Sequence, residues 1–303
     1  FLNEEGIRMI YKNAFGRRAF DWANYVFLGG AALLCLLPLI HVLAVSFSAS
    51  SAATAGFVKL WPVDFTLASY KYALNKPQFI DSFLVSLERV ALGALINMTL
   101  TVLIAYPLSK ERRQFRWRSV YAWFFVVTIL FSGGLIPVFM VVKQLGLLDS
   151  IWALVLPGAV PVFNVILLLN FMRSQPKELY EAAFVDGAGH WSVLWRIAVP
   201  LAKPALATLL LFICVGHWNS WFDGLIYMNK PEHFPLQTYL QSVVINRDPS
   251  LMTTTEELKT LSQISDQTTK AAQIFLAALP ILLLYPFLQK HFIQGITLGS
   301  VKE

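Results

Sequence analysis

The sequence predicts an all-α membrane protein of six transmembrane helices, and three observations carry that prediction. Hydrophobic residues make up 56% of the 303-residue chain and charged residues only 14%, with a mean hydropathy of +0.58, far more apolar than a soluble domain. The apolar residues gather into six stretches free of Asp, Glu, Lys and Arg, each close to the ~20 residues a helix needs to cross a hydrocarbon core about 30 Å thick. The 24 Lys and Arg residues concentrate in alternate links between those stretches. A net charge of +6 and a pI near 9.3 would also suit a nucleic-acid partner, but basic residues placed this way orient a membrane protein instead.

The first stretch, Tyr25–Phe47, follows a basic segment over residues 1–24. A cleaved signal peptide has a similar order, but its apolar part runs to about 7–15 residues, and this one is too long. The second, Val90–Leu108, is expected to begin as a helix near Asp81. The others are Val120–Val142, Ile151–Met172, Pro204–Phe222 and Ala271–Gln289. Pro38, Pro137, Pro157, Pro161 and Pro280 are expected to kink these helices without breaking them, because neighbouring membrane helices satisfy freed carbonyls. Residues 25–292 therefore read as one six-helix domain, with 1–24 and 293–303 as flanking cytoplasmic segments.

With the N-terminus inside, 15 Lys and Arg face the cytoplasm and 8 face the other side, so both termini are expected to be cytoplasmic. The group Lys110, Arg112, Arg113, Arg116 and Arg118 is the strongest anchor and a natural contact for lipid headgroups. Cys35 and Cys214 both lie in apolar runs and offer neither a disulfide framework nor a thiolate metal site. The outer loops Ser48–Ile80 and Asn229–Lys270 are long, and rich enough in aromatic residues and proline to form folded surfaces for an external partner.

The cytoplasmic loop Arg173–Lys203 also reads as folded. Pro176 suits the first turn of a helix capped by Ser174 or Gln175, and Glu178 favours that turn's dipole. The helix spans Lys177 to Val185, with Leu179, Ala182 and Ala183 forming a small, apolar surface that permits close approach by another protein. Gly187 and Gly189 can close it, and Trp191 to Ile197 begins a second short helix before Pro200.

Polar residues within apolar runs are costly and often line a path. His41, Asn97, Asn164, Asn170, His217 and Asn219 are such residues, and Asp223 directly follows the fifth run. At the end of the fifth stretch, His217, Trp218, Asn219, Trp221 and the adjoining Asp223 combine hydrogen-bonding groups with aromatic faces that suit sugar rings. The alternative reading is helix-to-helix hydrogen bonding and an interfacial aromatic belt. Glu88 and Arg89 read as structural or interfacial, and His190 as a surface residue.

Glu181, Ala182 and Ala183, then Gly187, Ile197 and Pro200, resemble at matching spacing the EAA loop of bacterial ABC importer permeases. Tyr285, Pro286, Phe287, Gln289, Lys290, Gly295 and the terminal Gly299, Ser300, Val301 and Lys302 resemble the carbohydrate-uptake, maltose-type group, as do Trp218, Asn219 and Trp221. Within it the resemblance is closest to permeases for complex oligosaccharides, the second permease of an alginate importer among them. It implies a bacterial inner-membrane subunit forming half of an oligosaccharide pathway by alternating access. Glu181, Ala182, Ala183, Asp186, Gly187, Ile197 and Pro200 would couple it to an ATPase, which the Gly299–Lys302 tail would also reach. The implied partners are a second homologous permease in a heterodimer, two ATPase subunits and an extracytoplasmic solute-binding protein.

The resemblance implies no catalysis, metal or cofactor in this chain, with ATP and Mg held by the partner ATPase. The residues agree, since the chain lacks even the Gly-Lys dipeptide of a phosphate-binding loop. Two alternatives remain. A secondary active carrier would need coupling-ion sites, and few buried acids are available. A membrane hydrolase or transferase would need a catalytic constellation, yet the five histidines are dispersed and neither a His-Glu-x-x-His nor a Gly-x-Ser-x-Gly pattern occurs.

Overall fold

A computed structural model describes residues 15–244 and 266–300, and every described element is helical. In chain order these are α1 (Phe15–Ser46), α2 (Ser50–Thr54), α3 (Ala68–Asn75), α4 (Pro77–Ser109), α5 (Arg118–Leu130), α6 (Leu135–Gln144), α7 (Ile151–Val155), α8 (Val162–Ser174) and α9 (Lys177–Val185). They continue as α10 (His190–Leu201), α11 (Lys203–Asn219), α12 (Phe222–Tyr227), α13 (Leu236–Val244) and α14 (Asp266–Ser300). Two compact units divide the described residues: 15–71 with 266–275, and 72–244 with 276–300.

Among the described residues, Arg18–Ser46, Pro77–Ser109 and Gln267–Leu284 are each long and apolar enough to cross a membrane, and two bent helix pairs raise the number to five. Pro38 and Pro280 lie inside continuous helices, as expected. The third and fourth expected spans are broken instead. In the third, α5 and α6 meet at 112°, and the break falls before Pro137. Phe131 turns extended and Gly134 takes φ +84°, a conformation only glycine adopts cheaply, while Pro137 sits in the first turn of α6, where its missing N–H costs nothing.

The fourth span separates into α7 and α8, and α8 alone is shorter than a full crossing. Here Pro157 and Pro161 are responsible. Together they remove two donors from consecutive turns, and Pro161, at ψ 88°, is already out of the helical region where it precedes α8.

In the first unit, the apolar surface of α1 is bare through most of its length, with Phe20, Trp22, Phe27 and Leu34 each about 70% exposed. Its C-terminal end packs through Ala44 and Val45 on Ala52, Ala53, Val58 and Ala271. The outer loop folds onto that end. Ser48 Oγ accepts Val63 N–H at 3.0 Å, Ser46 Oγ meets Tyr70 Oη at 2.7 Å, and Phe47 stacks on Phe65 and Tyr70.

In the second unit α4 is central, flanked by α8 and α11. Its buried stripe runs Ser82, Ser86, Arg89, Gly93, Asn97, Thr101 and Ala105, small or polar residues at three- and four-residue steps. Such a face lets membrane helices approach closely and hydrogen-bond to one another. Below it, Val102, Tyr106 and Leu108 join Val165, Leu168 and Met172 of α8, Val193, Leu194 and Ala198 of α10, and Leu209 of α11 in one core.

Candidate coupling loop and intramembrane polar cluster

The helix expected over Lys177 to Val185 is α9, with the same limits. Neither Ser174 nor Gln175 caps it: Pro176 occupies the N-cap and Ser174 Oγ turns back to Phe171 O. Its C-terminus closes with Gly187 N–H donating to Phe184 O at 3.1 Å and Ala188 N–H to Ala183 O at 2.9 Å. That pairing needs a left-handed residue between helix and exit, and Gly187 supplies it at φ +79°. Asp186 is the C-cap, its N–H bonded to Ala182 O at 3.0 Å.

The following helix departs from expectation by continuing through Pro200 as far as Leu201. A π turn over Leu194–Ala198, with Val199 N–H reaching Leu194 O, shifts the hydrogen-bond register ahead of the proline. Ile197 is half-buried within that turn and Pro200 is exposed. α10 then meets α11 at 80°.

The two faces of α9 differ. Tyr180, Ala183 and Phe184 pack against the core of α4, α8 and α10, whereas Glu178, Leu179, Glu181, Ala182 and Val185 are exposed. Val185 is 87% exposed and Leu179 46%, an apolar surface that this chain leaves uncovered.

Lys110, just beyond the end of α4, ties the inner face to the bundle. Its Nζ lies 4.3 Å from the Tyr106 ring centroid, 4.1 Å from Tyr180 and 5.8 Å from Phe184. Burial holds its ammonium down at about 8, against an ordinary value near 10.5, and the three ring faces offset only part of the cost. Between about pH 8 and 10.5 the unfolded chain therefore binds more protons than the folded one, so stability rises with pH across that window. The thermal midpoint of the parent in detergent should gain on that of a Lys110→Met variant over the same range. A difference that stays flat would mean that Lys110 is hydrated.

A second polar group lies within the span region. Arg89, 3% exposed on α4, forms an ion pair with Asp223 of α12, its Nη1 donating to Oδ1 at 3.1 Å and its Nη2 to Oδ2. Arg89 also reaches Ser220 O at 3.4 Å, Leu154 O at 3.5 Å and, through Nε, His217 Nδ1 at 3.5 Å. With Nδ1 accepting, the His217 proton is on Nε2. The Asn97 amide oxygen then accepts from Nε2 at 3.2 Å, while its nitrogen donates to Gly93 O and Ala159 O at 3.1 and 3.3 Å. Gly93 leaves room for the imidazole, since a Cβ there would stand 2.4 Å from His217 Nε2. Asp223 also accepts from Ser220 Oγ and Gly224 N–H, each at 2.9 Å.

Of the residues singled out in the fifth stretch, His217 and Asp223 thus come together. Trp218 is buried among Phe79, Leu236, Tyr239 and Ala277, and its indole N–H donates to Ala277 O at 3.0 Å. Asn219 and Trp221 are exposed, Trp221 lying edge-on to Phe222. This helix-joining pair agrees with a structural Arg89; its partner Asp223 is what the sequence does not reveal, the signal being an arginine flanking one apolar run and an aspartate flanking another. On the predicted outer side, Asp149 accepts from Asn229 N–H and Lys230 N–H, with His233 Nδ1 2.9 Å from its Oδ1, fixing the start of the second long loop. Burial raises the Asp149 carboxyl, but His233 and the two N–H groups outweigh it and hold the carboxyl below its ordinary value. Gly299 and Ser300 end α14, whereas Val301 and Lys302 lie outside the described residues.

Comparison with known proteins places this architecture. The chain is 42% identical to the Bacillus subtilis protein LplC over 285 residues, spanning 94% of this chain and 95% of that protein. It is 41% identical over 285 residues to the Bacillus subtilis polygalacturonan/rhamnogalacturonan transport system permease protein YtcP, spanning 94% and 99%. A chain in the crystal structure of a bacterial ABC transporter involved in the import of the acidic polysaccharide alginate superposes with a TM-score of 0.85 at 33% identity, covering 92% of this chain and 98% of that one. Residues 6–298 match the family of binding-protein-dependent transport system inner membrane components, and the chain belongs to that family as a non-enzymatic permease subunit of an ABC importer.

Proposed function

We propose that this permease forms half of the pathway for an acidic oligosaccharide, with α9 as the element that receives the stroke of a separate ATPase. The observation carrying the substrate class is the likeness to the alginate transporter chain, and the 41% identity to a polygalacturonan/rhamnogalacturonan permease points the same way. The division of α9 into a packed face and an exposed apolar face supports the coupling role. Glu181, Ala182, Asp186 and Gly187 lie on the exposed side for docking, while Tyr180, Ala183 and Phe184 bear on the bundle. Displacement of α9 would then move α4, α8 and α10 together, because a packed core transmits a push as a rigid body.

The rest of the assembly follows from this reading. A second homologous permease supplies the other half of the pathway, and two ATPase subunits hold ATP and Mg. An extracytoplasmic solute-binding protein docks on the outer loops. The excess of basic residues in the links that include α9 supports cytoplasmic termini and a cytoplasmic α9, and the Gly299–Lys302 tail would lie at the ATPase. His217 and Asp223, held on Arg89, border the pathway together with exposed Asn219 and Trp221.

Reconstitution with the co-encoded ATPase, second permease and binding protein tests the proposal. Acidic oligosaccharides should stimulate ATP hydrolysis and neutral ones of equal length should not. Stimulation by neutral sugars alone would overturn the substrate class, and ATP hydrolysis indifferent to any sugar would overturn the transport reading.

A further inference from the structure

At the end of α4, a cavity of about 380 Å³ opens between the 109–118 link, the end of α8 and α9. Its wall includes Ser109, Lys110, Arg118, Arg173, Gln175 and Glu181, and its volume falls within the range of small-ligand sites, about 300–1,000 Å³. The donors here outnumber the acceptors. Arg118 Nη1 donates to Lys110 O at 3.3 Å and Arg173 Nη2 to Leu108 O at 3.0 Å, and among the described residues neither guanidinium meets a carboxylate.

Two further donors are stranded. Arg118 Nε is buried without a protein acceptor, and so is Gln175 Nε2, whose companion oxygen is taken by the Tyr180 hydroxyl. A buried donor left without an acceptor is costly, so these two unpartnered donors, beside two guanidinium groups that meet only carbonyl oxygens, call for a ligand rich in oxygen. Two acids, Glu111 and Glu181, also line the cavity, but Glu111 is engaged by Lys177 at 2.5 Å and, among the described residues, neither forms an ion pair with Arg118 or Arg173. Arg173 is held below its ordinary value by burial and by the charge of Arg118, so the two cations repel each other across the site.

We propose that this cavity binds a phosphate group, with Arg118 and Arg173 as its charged donors and Gln175 as a neutral one. A phosphate offers several acceptor oxygens at full negative charge, and guanidinium forks match it better than any neutral acceptor does. Ser109 ends a membrane-spanning helix and Arg173 closes another apolar one, so the site lies at the depth of lipid headgroups. An anionic headgroup and free phosphate share this chemistry, and experiment separates them. A lipid phosphate held here would brace the hinge between α9 and α4 and make coupling depend on lipid composition.

The full chain in a neutral maltoside detergent is the test material, with thermal unfolding followed through its tryptophans. Dioctanoyl phosphatidylglycerol, dioctanoyl phosphatidylcholine and inorganic phosphate serve as separate probes. Phosphatidylglycerol should raise the midpoint saturably, and Arg118→Gln or Arg173→Gln should raise its half-saturating concentration about tenfold. Arg118→Lys and Arg173→Lys, which keep the charge, should lose less. Arg112→Gln and Arg113→Gln, which lie outside the cavity and meet headgroups only at the surface, should lose far less.

If inorganic phosphate reproduces the full shift with the same dependence on the two arginines, the site stands and its ligand is the free ion. Equal responses to phosphatidylglycerol and phosphatidylcholine would overturn the proposal, as would equal losses from the Arg112 and Arg113 variants. Arginine variants that keep the lipid response but no longer retain the ATPase on purification would assign the donors to a partner's carboxylate instead.

Discussion

Replacing Gly187 with glutamate should abolish substrate-stimulated ATP hydrolysis and uptake while the protein still inserts into the membrane. A Cβ at this position meets no atom within 4 Å, so the lesion is conformational and local. At φ +79° a non-glycine residue costs about 1–2 kcal/mol, which the turn can relieve by leaving the left-handed region. The Gly187 and Ala188 hydrogen bonds to Phe184 and Ala183 would then break, and α9 would change its angle while the core beneath it stays packed. Gly187→Asn provides the control, because asparagine tolerates this conformation and should keep most of the uptake. Glu181→Ala should be milder, since an exposed carboxylate contributes at most about 1 kcal/mol to a pairing. Undiminished uptake in Gly187→Glu would sink the coupling role of α9.

The limits of α9 were legible because the chemistry that starts and stops it is local: a proline before the first turn and a glycine beyond the last. The breaks in the third and fourth spans were not legible. An apolar run has the same composition whether it continues straight or turns at 112°, and it is Gly134, not Pro137, that makes the turn possible. The partner of Arg89 was hidden for a different reason. A charged residue marks the edge of an apolar run, and nothing in composition tells a charge facing water from one buried against an opposite charge on another helix. Trp218 shows a third limit, because an indole that packs and one that stacks on a sugar look alike until Ala277 O is found to accept its proton.

Asp223→Ala should be the most damaging single change in the bundle. It leaves Arg89, 3% exposed, without its counter-charge, and stripping one partner from a buried pair costs about 3–5 kcal/mol. Arg89→Met should cost less, because Asp223 is 25% exposed and keeps Ser220 Oγ and the Gly224 N–H. Combining Arg89→Met with Asp223→Leu removes both charges and should recover much of the loss, measured as the thermal midpoint and the monodisperse fraction in detergent. The double variant also decides what the cluster is for. If Arg89 and Asp223 only join α4 to α12, uptake should return with stability. If the pair also holds His217 at the pathway, stability should return while uptake stays low, since Arg89 Nε no longer fixes the imidazole against Asn97. An Asp223→Ala protein as stable as the parent would show that Arg89 is solvated and that no buried ion pair holds these helices together.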